Sequence, residues 1–456
     1  MITLREPGAV LLLSCYELGH QPAGLALPMA FLERAGYRPA ALDLAVEPLD
    51  EACVRRARLV AISVPMHTAL RIGVPVAERI RALHPEAVIC FHGLYALLNR
   101  EWLLERHADA VLGGECEEQL VALACAVDRG EPPRPAPLPL ARLAFPVPSR
   151  SGLPPLARYA ALEIGGERFP AGAVEASRGC LHECRHCPIP PVYGGRFFVV
   201  PPEIVLEDVR RQVASGARHI TFTDPDFLNG PRHAIRIAEA MHAEHPALTF
   251  DCTAKIEHLL EHRDLLPRLA AAGCAFIVSA VESLSDLVLR RLDKGHTKAD
   301  VQAALEITRS AGIALRPSLL PFTPWTTADD YVELVDWVAR ERLEDGVDPV
   351  QWAIRLLIPP GSLLLALPEI RPFLGTLDRE NYAWTWTHPD PGMERLHRTV
   401  NGIVHEARRA GQHAAITFQR VRAAAYETAG RRPVEADATH AERRPVAPRL
   451  TEPWFC

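Results

Sequence analysis

Three cysteines lie within eight residues of the chain, in the stretch SRGCLHECRHCPIP. Cys180, Cys184 and Cys187 are spaced C-x3-C-x2-C, and no fourth cysteine is close to them. Thiolates gathered in this way hold metal, and two chemistries fit the spacing. A structural zinc site would take His182 or His186 as its fourth ligand. A 4Fe-4S cluster held by three cysteines would instead leave one iron open to an outside ligand.

The cysteine loop follows the first of a series of alternating strand and helix signals that begins near residue 158. Apolar stretches typical of strands are AGAVEAS, HITFTD, LTFDCT, FIVSAVES, IALRPSLL and VQWAIRLL, and helical stretches such as PPEIVLEDVRRQVASG separate them. Six β/α units predict a partial TIM-type barrel, (β/α)6, with the loop at the carboxyl end of its first strand. Because barrel active sites lie at that end, the loop is predicted to be part of one.

Residues 8–130 show the same alternation, with strands that are apolar throughout. The strand candidates are AVLLLS, ALDLAV, LVAISV, AVICFHG and the start of AVLGGECEEQL. Continuous apolar strands between amphipathic helices predict an α/β fold with a doubly wound, Rossmann-like parallel sheet. Nine prolines between Pro132 and Pro155 prevent a continuous helix or central strand, which predicts a linker to the barrel.

Two helical stretches, MERLHRTVNGIVHEARRAG and ITFQRVRAAAYETA, predict a C-terminal helical extension of the barrel. The tail that follows lacks hydrophobic periodicity, which favours a flexible segment. The predicted parts are the Rossmann-like domain at 1–130, the linker at 131–157, the barrel at 158–385, the helical extension at 386–430 and the tail at 431–456.

Composition excludes several classes of protein. The chain of 456 residues is 48% apolar and 23% charged, as in ordinary globular proteins. A net charge of -6 argues against a nucleic-acid-binding surface. Eleven scattered cysteines argue against a disulfide framework, and reduced thiols are typical of the cytoplasm. No apolar segment approaches the roughly 20 residues needed to cross a bilayer, and the start, MITLREPGAVLLLSC, has too weak a basic flank to predict a signal peptide.

Lysine is rare in this chain, since only Lys255, Lys294 and Lys298 are lysines among 50 basic residues. Lys255 ends the third predicted barrel strand, where its side chain would reach the barrel mouth. The ammonium group is compact and titratable, unlike guanidinium, so Lys255 is a candidate catalytic residue. Random retention of one lysine explains the same observation.

The cysteine spacing and the barrel that follows it resemble the radical S-adenosylmethionine (radical SAM) superfamily, over roughly residues 158–360. The resemblance implies that Cys180, Cys184 and Cys187 bind a 4Fe-4S cluster whose open iron binds SAM. One electron would then cleave SAM to methionine and a 5'-deoxyadenosyl radical, which abstracts hydrogen from a substrate. A small-molecule substrate and an electron donor of the flavodoxin or ferredoxin type are the implied partners.

The same resemblance implies SAM-binding positions at the ends of the second, fourth and sixth barrel strands. The stretch TFTDPDF lacks the Gly-Gly-Glu common in relatives, SAVES supplies a strand-end carboxylate, and RLDKGHT resembles the turn that follows. Strand-end turns and ion pairs would explain the same carboxylates. The candidate residues are Thr223, Asp224, Asp226, Ser279, Glu282, Leu357 and Ile358.

Residues 8–130 resemble the cobalamin-binding domain found in front of many radical SAM barrels. VLGGECEEQL is similar to the last strand-to-helix turn of that domain, which implies cobalamin contacts at Gly113, Gly114 and Glu115. Glycine there would let the backbone approach a large planar ligand. No D-x-H-x-x-G motif is present, so we expect no histidine ligand to cobalt. A domain that has lost its ligand is the alternative.

The chain end TEPWFC resembles the start of the tail of a radical SAM group that ends in Cys-Cys-Ala-Glu-Pro or Cys-selenocysteine-Ala-Glu-Pro. We therefore expect the reading frame to continue through a UGA codon after Cys456. Cys456 would then belong to a reactive pair of soft nucleophiles and is a second candidate catalytic residue.

These patterns predict a cytoplasmic radical SAM enzyme that acts with cobalamin as a methyltransferase on an unactivated carbon or phosphorus centre. A cobalamin-independent enzyme that rearranges its substrate or forms a bond with help from the tail is one alternative. A non-catalytic iron-sulfur or cobalamin sensor is another.

Overall fold

The computed structural model describes residues 3–134, 138–432 and 447–452. The first part of the chain forms a five-stranded parallel sheet in the order β2-β1-β3-β4-β5. Its strands are β1 (Val10–Ser14), β2 (Ala40–Asp43), β3 (Leu59–Ser63), β4 (Val88–His92) and β5 (Ala110–Leu112). Its helices are α1 (Ala23–Arg34), α2 (Glu51–Arg56), α3 (His67–Leu83), α4 (Leu94–Leu98), α5 (Arg100–Arg106) and α6 (Glu117–Asp128).

The strands of this sheet are apolar because both of its faces are covered. Leu11 and Leu13 of β1 pack into one apolar core with α3, whereas Val10 and Leu12 pack into another with α1 and α6. Every residue of β1 and β3 is buried. The predicted doubly wound sheet is confirmed, and its carboxyl edge carries the loops that approach the rest of the molecule.

The second part of the chain builds a curled sheet, which is the predicted partial barrel. Its parallel strands run in the order β13-β12-β11-β10-β7, and β6 pairs antiparallel to β7. The strands of this part are β6 (Ala161–Ile164), β7 (Glu167–Val174), β8 (Ser177–Gly179), β9 (Phe197–Val199), β10 (His219–Phe222), β11 (Thr249–Thr253), β12 (Cys274–Glu282) and β13 (Ala314–Leu319). Its helices are α7 (Pro190–Tyr193), α8 (Pro202–Ala214), α9 (Pro231–Glu244), α10 (Ile256–Glu261), α11 (Leu266–Ala271), α12 (Asp286–Leu292), α13 (Lys298–Ser310) and α14 (Ala328–Glu341).

The stretch VQWAIRLL, predicted as a sixth barrel strand, differs from the prediction. A 3-10 turn occupies Pro349–Ala353, and a single parallel bridge joins Arg355 to Phe322. Trp352 is buried all the same, because α15 (Pro391–Arg409) and α16 (Ala414–Thr428) of the predicted helical extension pack against this turn.

Two further features complete the described chain. A hairpin of β14 (Leu374–Asp378) and β15 (Ala383–Trp386) precedes α15. The short strand β16 (Arg449–Leu450) pairs antiparallel to β6, at the edge of the curled sheet opposite β13. Among the described residues, no helix combines the length and apolar character of a membrane span.

Candidate functional site

The cysteine loop leaves the carboxyl end of β7 through the short strand β8. Gly179, the last residue of β8, has a φ of +72°, a left-handed conformation that favours glycine. A Cβ atom there would contact the carbonyl oxygen of Arg196 and the ring of Tyr193. The loop can therefore turn toward the barrel mouth only because this position lacks a side chain.

The three predicted cluster cysteines lie near one another. None forms a disulfide, and Cys180 and Cys184 are buried while Cys187 is half-buried. Burial, together with the neighbouring Cys184 and Cys180, raises the pKa of the Cys187 thiol to about 12. The three sulfur atoms do not all lie within 4.8 Å of one another.

This spacing of the sulfur atoms bears on the zinc alternative. Thiolates on one tetrahedral zinc ion would all be about 3.8 Å apart, whereas at least one pair of these three sulfur atoms is farther apart than that. One nitrogen of each nearby histidine is engaged elsewhere: His182 Nε2 lies 3.0 Å from His258 Nε2, and His186 Nε2 lies 3.2 Å from Glu282 Oε1, whereas His186 Nδ1 has no hydrogen-bond partner among the described residues. The donor set therefore fits a cluster in which each thiolate binds a different iron, with no protein side chain on the fourth.

A buried ion pair lies next to the cysteine loop. Lys294 is 3% exposed, and its Nζ lies 3.3 Å from Glu282 Oε1. Burial alone would raise the pKa of Glu282, but Lys294 and His186 outweigh it and lower that pKa to about 2. Burial would lower the pKa of Lys294, but the attraction of Glu282 outweighs it, so this pKa is raised and the ammonium form is favoured. A positive charge is thus held beside the thiols.

Glu282 occupies a strained position. Its φ is +62°, which is uncommon for a residue with a side chain, and the ladder between β12 and β13 is irregular there. Such strain persists only where the surroundings enforce it, and here the enforcing contacts are the ion pair with Lys294 and the hydrogen bond with His186.

Two of the predicted SAM-binding residues at the end of β10 bind the cysteine loop or its strand. Asp224 accepts hydrogen bonds from the Ala176 amide at 2.8 Å and from the Ser177 hydroxyl. Burial, which outweighs these hydrogen bonds, raises the pKa of Asp224 to about 7. The Thr223 hydroxyl donates to the Val174 carbonyl at 3.3 Å and the residue is half-buried.

Asp226, a third predicted SAM-binding residue, begins a chain of polar contacts. Its Oδ2 lies 2.7 Å from His258 Nδ1, and its Oδ1 accepts from the Leu228 amide. His258 then contacts His182 of the cysteine loop. The nitrogen and oxygen ligand atoms of Asp226, His182 and His258 lie within 4.8 Å of one another, and the hydrogen bonds among them account for the contact.

The other predicted SAM-binding residues lie at different depths. The Ser279 hydroxyl is fully buried and donates to the Ala254 carbonyl at 2.6 Å. Leu357 is half-buried against the apolar core of the first sheet, and Ile358 is fully buried beside α12. Their role in binding SAM stays a prediction.

The structure describes only one of the two predicted catalytic residues. Lys255 is 8% exposed at the start of α10, and its Nζ lies 3.1 Å from Glu257 Oε2. Cys456 lies outside the described residues. Both assignments stay predictions.

A cluster of charges joins the two sheets. Arg178, just before the cysteine loop, lies 2.7 Å from Glu117 and 2.7 Å from Glu175, and 3.6 Å from Glu115. Tyr193 also donates to Glu115 at 3.0 Å. Burial raises the pKa of Glu115 to about 7, although Arg178 opposes that rise. The carboxyl edge of the first sheet therefore faces the cysteine loop.

The residues predicted to contact cobalamin are packed against protein. A Cβ at Gly113 would lie 2.8 Å from Leu97 Cβ, and one at Gly114 would lie 2.6 Å from the Pro139 carbonyl oxygen of the linker. Glu115 is 1% exposed. Half-buried residues at the ends of β3 and β4, by contrast, keep accessible surface. These are Pro65, Met66, His67, Gly93 and Leu94.

Comparison with known proteins decides the family of the barrel. Residues 174–338 match the radical SAM superfamily. This segment is a radical SAM domain. Its family implies a 4Fe-4S cluster and SAM, which agrees with the three thiols and with their spacing.

Curated relatives share this domain over part of their length. The hopanoid C-3 methylase of Methylococcus capsulatus is 26% identical over 324 residues, which cover 67% of this chain and 62% of that protein. A tRNA-2-methylthio-N(6)-dimethylallyladenosine synthase of Desulfosudis oleivorans is 28% identical over 41% of this chain and 42% of its own. The ribosomal protein uS12 methylthiotransferase of Porphyromonas gingivalis is 30% identical over 38% and 41%. The chain thus spans about two fifths to three fifths of these relatives.

Solved structures share the fold beyond the radical SAM domain. The cobalamin-dependent S-adenosylmethionine radical enzyme OxsB, with aqua-cobalamin bound, matches with a TM-score of 0.68 over 90% of this chain and 72% of its own, at 16% identity. The radical S-adenosylmethionine methyltransferase TsrM from Kitasatospora setae, with tryptophan and a SAM analogue bound, matches with a TM-score of 0.60 over 73% and 71%, at 19% identity. The arrangement of a parallel sheet in front of a radical SAM barrel is therefore shared.

Sequence reasoning missed several polar residues around the radical SAM domain. Lys294 lies in the stretch RLDKGHT and is one of only three lysines, so its rarity could have indicated a role. Arg178 and its three carboxylate partners gave no signal, because the partners come from two domains. Asp251 also gave no signal in the sequence. It lies in the barrel interior and contacts His219 and Thr221.

Proposed function

We propose that the chain is a radical SAM enzyme acting on a small substrate, and that it transfers a methyl group when cobalamin is bound. The observation that carries the proposal is the group of three free thiols beside the buried pair of Lys294 and Glu282, at the barrel mouth. A bound cluster supplies the electron that cleaves SAM, which yields a radical able to take hydrogen from the substrate.

The residues of this chain have separable tasks in that reaction. Cys180, Cys184 and Cys187 hold the cluster. Lys294 offsets the negative charge of the thiolates, and Glu282 keeps the ammonium group in place. Because water is largely excluded around this pair, its electrostatic effect on the site is larger than that of an exposed pair.

Cobalamin is supported by the likeness to OxsB, whose structure contains aqua-cobalamin. The surface that supports binding is the carboxyl edge of the first sheet near Met66 and Leu94, since both residues are half-buried. Gly113, Gly114 and Glu115 would then pack beneath this edge and would not contact cobalamin directly. Equilibration with hydroxocobalamin, gel filtration and measurement of cobalt per chain tests the proposal: about one cobalt supports it, and none contradicts it.

We also propose a cytoplasmic location, a flavodoxin- or ferredoxin-type electron donor, and no nucleic-acid or membrane partner. The net charge of -6 supports the absence of a nucleic-acid partner, and the scattered cysteines support the cytoplasmic location.

Anaerobic reconstitution tests the main proposal. The protein is loaded with iron and sulfide, reduced and mixed with SAM, and 5'-deoxyadenosine, iron content and the EPR signal of the reduced cluster are measured. We expect nucleoside release by the wild type and its loss in Cys184→Ala. Cys53→Ser is the matched control, because this cysteine lies on α2, far along the chain from the loop, and is half-buried.

Each other outcome has a distinct meaning. A cluster signal without nucleoside release would favour the non-catalytic sensor. A zinc-loaded, colourless protein would exclude both the radical SAM enzyme and the iron-sulfur sensor. Nucleoside release without cobalamin retention would favour a cobalamin-independent reaction.

Lys255 and Cys456 remain proposed catalytic residues with their own tests. Lys255→Arg keeps the charge and the ion pair with Glu257, so unchanged turnover would remove Lys255 from the mechanism. Replacing Cys456 with Ser should lower product formation while nucleoside release continues, and equal product formation would remove Cys456.

A further inference from the structure

The curled sheet of the barrel does not close on itself, and the chain's last described strand lies across the opening. β16 pairs with β6 at one edge of the sheet. From the opposite edge, Arg316 of β13 donates a hydrogen bond through Nη1 to the Pro448 carbonyl at 3.3 Å. The tail segment 447–452 therefore bridges the two edges of the incomplete barrel.

A cavity of about 140 Å³, partly open to solvent, lies between these elements. Its wall includes barrel residues such as Thr253, the tail residues Leu450 and Glu452, and His20 from the loop after β1. Three separate parts of the chain thus line one cavity, and the tail segment 447–452 forms one of its walls.

The cavity presents hydrogen-bond acceptors that lack protein donors. Asp251 is 3% exposed, and its Oδ1 lies 2.8 Å from His219 Nε2 and accepts from the Thr221 hydroxyl at 2.7 Å. Its Oδ2 has no hydrogen-bond partner among the described residues. Glu452 accepts from the Tyr16 hydroxyl at 3.0 Å through Oε1 only.

His20 is a second unsatisfied group in the cavity wall. It is 9% exposed, and neither ring nitrogen has a hydrogen-bond partner within the described part of the chain. The His20 ring therefore has hydrogen-bonding capacity left for a ligand or a water molecule in the cavity.

The cation in the cavity wall is already engaged. Arg316 donates to Asp348 Oδ2 at 3.4 Å as well as to the Pro448 carbonyl. An anionic ligand would therefore meet three carboxylates, those of Asp251, Asp348 and Glu452, and a single guanidinium that already contacts Asp348. A ligand with a protonated amine would instead supply the N–H donors that these oxygen atoms lack.

We propose that this cavity binds the substrate through a protonated amine held by Asp251 and Glu452, and that the tail segment 447–452 is a wall of the substrate site. The inference rests on the proposed function, since it names the substrate class for the same barrel. Glu452 thereby becomes a specificity-determining residue contributed by the tail.

Binding of three four-carbon probes to the reconstituted full chain tests this proposal. Putrescine carries two ammonium groups, 1,4-butanediol two hydroxyls and succinate two carboxylates. Isothermal titration should detect putrescine binding at least about tenfold tighter than that of either other probe. Tighter binding of succinate, equal binding of all three, or no binding of putrescine at millimolar concentration would overturn the proposal.

A variant of Glu452 tests whether this side chain binds the amine. Glu452→Gln can still accept from the Tyr16 hydroxyl but loses its charge, and we expect putrescine binding to weaken at least about fivefold. Glu167→Gln is the matched control, because Glu167 is exposed at the start of β7 and does not line the cavity. Equal affinities in the two variants would remove Glu452 from the site.

The same preparations separate this proposal from the proposed function. Nucleoside release from SAM without discrimination among the probes would leave the radical SAM function standing and overturn the amine site. Selective putrescine binding without nucleoside release would support the amine site and overturn the radical SAM function.

Discussion

The two parallel sheets of this molecule use the same backbone pattern for different purposes. In the first sheet both faces are apolar, as in β1, where Leu11 and Leu12 point into separate cores. In the barrel sheet the outer face is apolar, with Ile220 fully buried, but the inner face carries groups such as Thr221 and Asp251. The first sheet is thus a scaffold with apolar side chains on both faces. The second sheet has apolar side chains on its outer face and polar side chains in its interior.

The largest expected effect concerns the charge cluster that joins the two regions. Arg178→Met should lower the free energy of unfolding by about 4 kcal/mol, because it leaves buried carboxylates without their cation. Urea denaturation followed by tryptophan fluorescence measures this. Arg168→Met is the control, because the Arg168 side chain is 70% exposed. Equal midpoints for the two variants would show that the cluster does not join the sheets energetically.

A second variant tests the scaffold itself. Leu12→Ala in β1 should cost about 3 kcal/mol of unfolding free energy, since the side chain is fully buried and its removal leaves a cavity. Ile72→Ala on α3 is the matched control, because Ile72 is 41% exposed and should cost less than about 1 kcal/mol. A cost below that of the control would contradict the description of a closely packed first sheet.

His92 is an exception in the first sheet, and it predicts a pH dependence. It is 4% exposed, and burial lowers its pKa from 6.5 to about 4. The unfolded chain therefore takes up this proton at higher pH than the folded chain, so the contribution of His92 is complete above pH 6.5 and is lost as the pH falls.

This loss should amount to about 2 kcal/mol between pH 7 and pH 5, and His92→Phe should remove it. The measurement is the urea midpoint at both pH values for wild type and variant. The same pH dependence in both proteins would show that His92 is not the group responsible.

The smallest effect is expected in the barrel interior. Thr253→Val keeps the shape of a half-buried side chain whose hydroxyl has no hydrogen bond to the described residues. We expect the unfolding free energy to change by less than about 0.5 kcal/mol. A cost as large as that of Leu12→Ala would mean that the inner face is packed for stability, which would remove the contrast between the sheets.

The sequence predicted the parallel strands of both sheets because their signals are local, but it did not predict β6, and the tail that contains β16 was predicted to be flexible. Continuous apolar runs marked β1 and β3, and the cysteine spacing marked the loop after β7. VQWAIRLL was wrong as a strand, because an apolar run reports burial and not strand pairing. In the structure the burial of Trp352 comes from helices that lie later in the chain.

The polar partners could not be predicted for a related reason. Lys294 meets Glu282 across a turn of the barrel, and Tyr16 meets Glu452 across 436 positions of sequence. The first pair depends on the conformation of a turn and the second on how distant parts of the chain approach one another, and no periodicity of one segment contains that information. The thiols were predictable because all three ligands lie in one loop.

The closure of the barrel by β16 has a consequence for synthesis of the protein. Arg449 and its partner Glu163 on β6 are 286 positions apart. At ribosomal speeds of about 5–20 residues per second, the free edge of β6 waits roughly 15–60 s for its partner strand. An exposed strand edge invites pairing with other nascent chains, and a charged side chain such as that of Glu163 discourages it. Glu163 would therefore protect the edge during translation as well as bind the tail afterwards.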